Sequence, residues 1–161
     1  MKKVLLLLVV ILIALPLSAR SKLEFAPRGT LYLNGGVNFG IGGDIIFNPK
    51  KNIGLRANLV EVVFGDNTIF SLNSVSFSGL TTFDLLYYTD IAGLFQYVDL
   101  TFGLLSSGGT TLLIGGGVGM EKIVGKGMNM FLEPNILIMT ASGGGGNDLI
   151  FKGSFGLKIG L

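Results

Sequence analysis

The fold is decided by the last stretch of the sequence, residues 151–161, Phe151-Lys152-Gly153-Ser154-Phe155-Gly156-Leu157-Lys158-Ile159-Gly160-Leu161. From Phe155 onward a large apolar side chain occupies every second position, and glycine or lysine stands between. Successive side chains of a β-strand point to opposite faces, so this alternation predicts a strand with one apolar face. Its other face carries small and charged residues.

The same period of two runs through most of the chain, whereas the 3.6-residue period of an amphipathic helix is absent after the N-terminus. Clusters of glycine, asparagine, aspartate and proline separate the alternating runs. We predict an all-β chain of eight strands at residues 29–47, 53–64, 68–75, 77–88, 94–105, 110–123, 128–141 and 148–161.

The N-terminus has the pattern of an export signal. Lys2 and Lys3 are followed by an apolar run over residues 4–15, and Ser18 and Ala19 are small residues at its exit. The run is shorter than the ~20 residues that a membrane-spanning helix needs. We therefore predict a cleaved signal peptide at 1–19, a short N-terminal segment at 20–28 and a β-barrel domain at 29–161.

Composition narrows the function classes. The chain has no cysteine and no histidine, which removes disulfides, thiolate chemistry and the commonest general base. The formal charge is +2 and no long basic run occurs, which argues against nucleic-acid binding. The sequence predicts no enzyme activity, no metal site, no cofactor and no identifiable small-molecule substrate.

Two architectures suit such a meander of strands. A soluble barrel buries its apolar face and shows its polar face to water, while an outer-membrane barrel does the reverse. Here the second face is rich in glycine, serine, threonine and asparagine with isolated charges, which suits a narrow packed lumen. We expect a closed antiparallel up-and-down transmembrane barrel. A soluble periplasmic or secreted barrel that binds an apolar ligand is the alternative, and a small outer-membrane channel is the third.

The chain resembles the small eight-stranded outer-membrane barrels, the OmpX-like and OmpA-transmembrane-domain-like group. The resemblance covers 29–161 and rests on the signal peptide, the length and the final strand. It implies residence in the outer membrane, contact with its lipid and recognition of the last strand by the barrel-assembly machinery, through Phe151, Phe155, Leu157, Ile159 and Leu161. The chain departs from the group in ending on Leu161 rather than an aromatic residue, and it contains no tryptophan.

Charged residues on the polar faces form the candidate site. They are balanced in sign and comprise Arg56, Lys152, Lys158, Asp84, Asp99 and Glu133. Charge in a narrow interior is costly unless it is paired, so we expect ion pairs that fill the lumen. If residues 141 and 148 are opposite each other, Glu133 faces Gly156 and lies diagonal to Lys158, which predicts a Glu133–Lys158 ion pair.

The glycine-rich stretch 115–119 superficially looks like a phosphate-binding loop. Its spacing fits neither the dinucleotide-binding nor the P-loop pattern. We interpret it as barrel wall in which glycine makes room for larger side chains.

Overall fold

The structure, a computed structural model, describes residues 21–65, 76–77, 81–91, 93–106, 110–141 and 147–161. Every regular element in these ranges is a β-strand. The strands are β1 (Leu23–Leu33), β2 (Val37–Lys50), β3 (Ile53–Gly65), β4 (Ser76–Phe77), β5 (Thr81–Ile91), β6 (Phe95–Ser106), β7 (Thr110–Gly125), β8 (Met128–Ala141) and β9 (Asn147–Gly160).

Eight of these strands close into one antiparallel barrel. The hydrogen-bonded order is β2-β1-β9-β8-β7-β6-β5-β3, and a further pairing of β2 with β3 completes the ring. The two-residue strand β4 pairs only with β3, at the end of that strand. The predicted all-β, up-and-down, eight-stranded barrel is therefore confirmed. The predicted signal peptide, 1–19, lies outside the described residues.

The predicted number of barrel strands is correct, although not every predicted strand corresponds to one observed strand. The predicted strand 29–47 is two strands, β1 and β2, joined by a turn at 34–36 in which Gly35 has a positive φ of 64°. β1 begins at Leu23, inside the segment expected to precede the barrel. The predicted strand 68–75 lies outside the described residues, and the predicted 77–88 is replaced by β5 at 81–91.

Alternation could not reveal the turn at 34–36, because Leu33 and Val37 are cross-strand partners. Two cross-strand partners point to the same face of the sheet. Because 33 and 37 are both odd, the odd-numbered residues share one face in both strands. The period of two then continues through the turn without a break. The remaining predicted strands agree with the structure to within two residues at each end.

The connections alternate between the two ends of the barrel. At one end, the tight-turn rim, residues 51–52, 92–94 and 126–127 join the strands. The other end, the loop rim, has the turn at 34–36, the last residues of β3, β6 and β8 and the first residues of β5, β7 and β9.

A β-bulge in β3 changes which residues face inward. Gly43 pairs with Val60 but Asp44 pairs with Asn58, so Leu59 is the extra residue. Arg56 before the bulge and Glu61 after it are both buried, although strict alternation would place them on opposite faces. The bulge thus adds a carboxylate to the lumen.

Candidate functional site in the barrel lumen

The interior of the barrel is built in layers, and β8 shows their order. Phe131, Glu133, Asn135 and Leu137 are its successive inward residues, and each is buried. Phe131 belongs to an apolar cluster toward the tight-turn rim, and Leu137 belongs to a second cluster toward the loop rim. Charged and polar residues occupy the level between them.

Two apolar clusters flank the charge along the barrel, one toward each rim. The first consists of Ala26, Ile46, Leu86, Tyr88, Tyr97 and Phe131. The second consists of Tyr32, Val63, Leu113, Leu137 and Ile150. The charged residues between them, here called the central charged layer, are Arg28, Asp44, Arg56, Glu61, Asp84, Asp99, Glu133 and Lys152.

Arg56 organises one half of this layer. Its Nη1 and Nη2 donate to Glu133 Oε2 and Oε1 at 2.6 and 2.8 Å, and its Nε donates to Asp84. Asp99 Oδ2 lies 3.7 Å from Arg56 Nη2. One guanidinium thus joins carboxylates from three other strands, in the two-pronged geometry that arginine forms with a carboxylate.

Arg28 organises the other half. Its Nε donates to Asp44 Oδ2 at 2.8 Å, and its Nη1 and Nη2 donate to Glu61 Oε1 and Oε2 at 2.9 and 3.1 Å. Nη1 also bonds Thr30. All of these side chains are buried, so each pair exchanges hydration for direct charge-assisted hydrogen bonds.

Lys158 lies apart from that layer, among the aromatic rings at the tight-turn side. Its Nζ is 4.0 Å from the centroid of the Tyr97 ring and 5.3 Å from that of Phe131. It forms an ion pair with Glu121 of β7. A desolvated ammonium over aromatic faces is stabilised by the ring quadrupoles as well as by its counter-ion.

The predicted Glu133–Lys158 ion pair is wrong, because the hairpin register differs by two residues. Thr140 pairs with Asn147, so Glu133 stands opposite Ser154 rather than Gly156, and Lys158 stands opposite Asn129. A shift of two leaves every side chain on its predicted face but changes its neighbours. Glu133 bonds Arg56 and accepts a hydrogen bond of 2.7 Å from the Tyr97 hydroxyl instead.

All six residues of the candidate cluster are buried inside the barrel. Arg56, Asp84, Asp99 and Glu133 meet around one guanidinium, and Lys158 does not join them. Lys152, opposite Asn135 in the ladder, forms no hydrogen bond or ion pair within the described part of the chain.

Sequence reasoning missed Arg28, Asp44, Glu61 and Glu121 as members of the charged interior. Arg28 fell outside the predicted barrel, and the bulge at Leu59 hid Glu61. Asp44 lay on the polar face of the predicted strand 29–47, so alternation alone could have found it. The expected balance of signs also changes, since the central charged layer holds five carboxylates against three cations.

Strand β7 presents glycine to the lumen at 115, 117 and 119, and this makes the charged layer possible. A Cβ on Gly119 would overlap the Tyr97 ring, and one on Gly117 would overlap Asn135 Oδ1. Tyr97 of β6 therefore crosses β7 to reach Glu133 of β8, and Asn135 crosses it in the opposite direction to reach Asp99. The interpretation of this stretch as room-making wall is confirmed.

The outward residues of the last strand are those named for the assembly signal. Phe151, Phe155 and Leu161 are exposed, while Leu157 and Ile159 are half-buried. Lys152, Ser154 and Lys158 point inward and are buried. The predicted division of this strand into two faces is confirmed.

Comparison of the chain with models of protein families, with curated proteins and with solved structures finds no match. Within the described ranges, no helix is long and apolar enough to cross a membrane. Those ranges also contain no group of three or more histidine, cysteine, aspartate or glutamate side chains suited to a metal ion.

Proposed function

We propose that this protein is a small outer-membrane β-barrel with a structural or interaction role and a lumen sealed by its own side chains. The observation that carries the proposal is the inverted distribution of polarity. Charged residues fill the interior, while large apolar side chains cover the outside, among them Ile41, Phe83 and Phe155 at 66, 58 and 61% exposure.

The position of the outward charges supports a membrane-facing wall. In the described residues the exposed charged side chains are Lys22, Lys50, Lys51, Lys126 and Asp148. Each lies in a turn or within two residues of a strand end. Within the described residues, the wall between the rims therefore exposes apolar side chains, and the outward Lys122 is half-buried and lies three residues before the end of β7, as a hydrocarbon environment requires.

Dimensions and aromatic residues support the same proposal. The barrel strands are 11–16 residues long, against the ~9–11 that a tilted strand needs to cross a bilayer. Phe47 and Tyr87 are exposed near the tight-turn rim, and Phe39 and Phe64 are exposed near the loop rim. Aromatic residues at these two levels suit the membrane–water interfaces, and the exposed Phe83, Phe102 and Phe155 belong to the apolar wall between them; no tryptophan contributes.

The alternatives fit less well. A soluble barrel for an apolar ligand needs an apolar lumen and a water-compatible exterior, and the described residues have the opposite arrangement. A channel needs a continuous polar path, whereas apolar clusters lie above and below the central charged layer. Contact with outer-membrane lipid and with the barrel-assembly machinery remains part of the proposal.

A labelling experiment tests the location, and the absence of cysteine makes it free of background. Ile136 is half-exposed at mid-strand in β8, and Lys126 is exposed in a tight turn. A fluorophore on Ile136→Cys should be quenched by lipids brominated in their acyl chains and not by iodide. A fluorophore on Lys126→Cys should show the reverse. Quenching of both positions by iodide alone would refute a membrane-spanning barrel.

A further inference from the structure

A groove, here called the β1 groove, crosses the outer wall of the barrel over β8, β9, β1 and β2, with a volume of about 680 Å³. Along β1, Pro27 and Gly29 are consecutive outward residues, and neither carries a long side chain. Ile41 and Phe155, the cross-strand partners of Gly29, are 66 and 61% exposed and form ridges on either side. The outward side chains that line the groove are all apolar and belong to Pro27, Ile41, Met130, Leu132, Phe155 and Leu157.

The shape of the β1 groove is set by the packing of the sheet. The Phe155 ring lies against Gly29, where a Cβ would come within 2.6 Å of the ring atom Cζ. The ladder between β1 and β9 is interrupted at residues 26–27, and Pro27 has no N–H to donate there. The depression is therefore part of the folded wall rather than of a loop.

The β1 groove lies in the half of the wall next to the tight-turn rim. Leu132 is four residues from the start of β8 at that rim, and Phe155 is five residues from the end of β9. At ~3.3 Å per residue and a tilt of ~40°, both are roughly 10–13 Å from the rim. One leaflet supplies about half of the ~30 Å hydrocarbon core, so the groove lies at the depth of the acyl chains of a single leaflet.

The rim beside the β1 groove is positively charged. Exposed lysines stand at the ends of three of its four strands, since Lys22 precedes β1, Lys50 ends β2 and Lys126 precedes β8. Glu24, the acidic residue of β1 nearest this rim, is buried and points inward. These strands are consecutive neighbours at a spacing of ~4.8 Å, so the three lysines occupy a segment of rim roughly 15 Å wide.

Apolar lining and positive rim together favour an anionic lipid over a second copy of the chain. Two copies in one membrane share their orientation, so a symmetric dimer through this face would bring two sets of rim lysines together. A negatively charged headgroup instead attracts the lysines. An acyl chain fills the groove below without placing a polar group in hydrocarbon.

A second groove on the wall lacks this combination. It has a volume of about 500 Å³ and lies in the half of the wall next to the loop rim, where Leu31, Ile136 and Gly153 line it. Among the described side chains, the exposed charge at the loop rim is that of Asp148. This groove offers apolar contact but no cation for a headgroup, so the preference for an anionic lipid belongs to the β1 groove.

We propose that the β1 groove binds one acyl chain of an anionic phospholipid, whose phosphate is held at the tight-turn rim by Lys22, Lys50 and Lys126. This inference rests on the proposed membrane-spanning barrel and adds the class of lipid, the leaflet and the strands that bind it.

Single tryptophans test the site, because the chain has none of its own. Leu132→Trp lies in the groove, and Leu100→Trp is the matched control on β6, where it is exposed five residues from the same rim. Each variant is folded into phosphatidylcholine bilayers with an increasing fraction of phosphatidylglycerol that carries brominated acyl chains. We expect half-maximal quenching of Leu132→Trp at a phosphatidylglycerol fraction about fivefold lower than for Leu100→Trp.

The contribution of the lysines is tested in the same bilayers. Lys22→Gln, Lys50→Gln and Lys126→Gln are combined in the Leu132→Trp protein, and the fivefold difference should disappear. Asp148→Asn, at the opposite rim, should preserve it. If Leu132→Trp does not fold, Ile41→Trp on the ridge of the groove takes its place.

Equal quenching curves at the two tryptophan positions would overturn the lipid site and leave the membrane-spanning barrel standing. Brominated phosphatidylcholine that quenches the groove position as strongly as brominated phosphatidylglycerol would also overturn it, because the lysines would then select nothing. If only Leu100→Trp is quenched, a second copy of the chain covers the groove and the lipid site is wrong. Quenching of neither position by either lipid would refute the proposed function itself.

Discussion

Removing Arg56 should harm the barrel far more than removing the charge of its best partner. Arg56 bonds Glu133 and Asp84 with its side chain almost wholly buried. Breaking a buried ion pair by deleting one partner costs about 3–5 kcal/mol. Arg56→Met breaks two and leaves several carboxylates facing one another, so the loss approaches about 6–10 kcal/mol, comparable with the whole stability of an ordinary domain.

Glu133→Gln keeps the size of the side chain and leaves Arg56 paired with Asp84. It also reduces the surplus of negative charge, but its amide nitrogen replaces a carboxylate oxygen that accepts two hydrogen bonds. We therefore expect a loss of about 3–5 kcal/mol, the cost of one broken buried pair. Urea titrations of both variants in detergent micelles, followed by far-ultraviolet circular dichroism, measure the difference. The reasoning fails if Arg56→Met is as stable as Glu133→Gln, or if Glu133→Gln is the more damaging change.

Three further substitutions test other parts of the lumen by the same measurement. Gly117→Ala should cost about 1–3 kcal/mol because its methyl group meets the Asn135 side chain and the carbonyl oxygen of Pro134, while Gly153→Ala, where a Cβ meets nothing within 4 Å, should be neutral or slightly stabilising. Equal effects of the two would contradict this close approach of β8 to Gly117. Tyr97→Phe should cost about 1.5–3 kcal/mol through the lost hydrogen bond to a carboxylate, and an unaltered midpoint would contradict that bond. A double-mutant cycle of Glu121→Gln with Lys158→Met should show coupling of at least about 1 kcal/mol, and additive effects would remove this ion pair.

Period two was enough to predict the fold class and the face of every residue in the last strand, because both depend only on alternation. It was not enough to find the turn at 34–36, where the alternation continues unbroken, or the inward position of Glu61 beyond the bulge at Leu59. Alternation also could not predict which residues bond Glu133. A shift of two in a hairpin keeps the faces and changes the neighbours, and only the three-dimensional register shows that Tyr97 and Arg56 reach this carboxylate.

The glycine-rich stretch 115–119 shows the same limit of prediction from sequence. Alternation indicated that 115, 117 and 119 face the lumen, and composition indicated that they make room there. Which side chains use that room depends on how β6 and β8 are staggered against β7. Asn135 and Tyr97 cross the strand in opposite directions, and no pattern within β7 itself encodes that.

The two ends of β8 lie at opposite rims of the barrel, so they can carry two reporters of its orientation. β8 runs for 14 residues from Met128, next to the turn at 126–127, to Ala141 at the other rim. At ~3.3 Å per residue and a tilt of ~40°, these positions are separated by roughly 35 Å along the barrel axis. If the barrel spans a membrane as proposed, a short epitope inserted at either position should therefore be reachable from one side only. The pair would report the orientation of the barrel in a living cell, with the rigid wall of β8 keeping the two reporters apart.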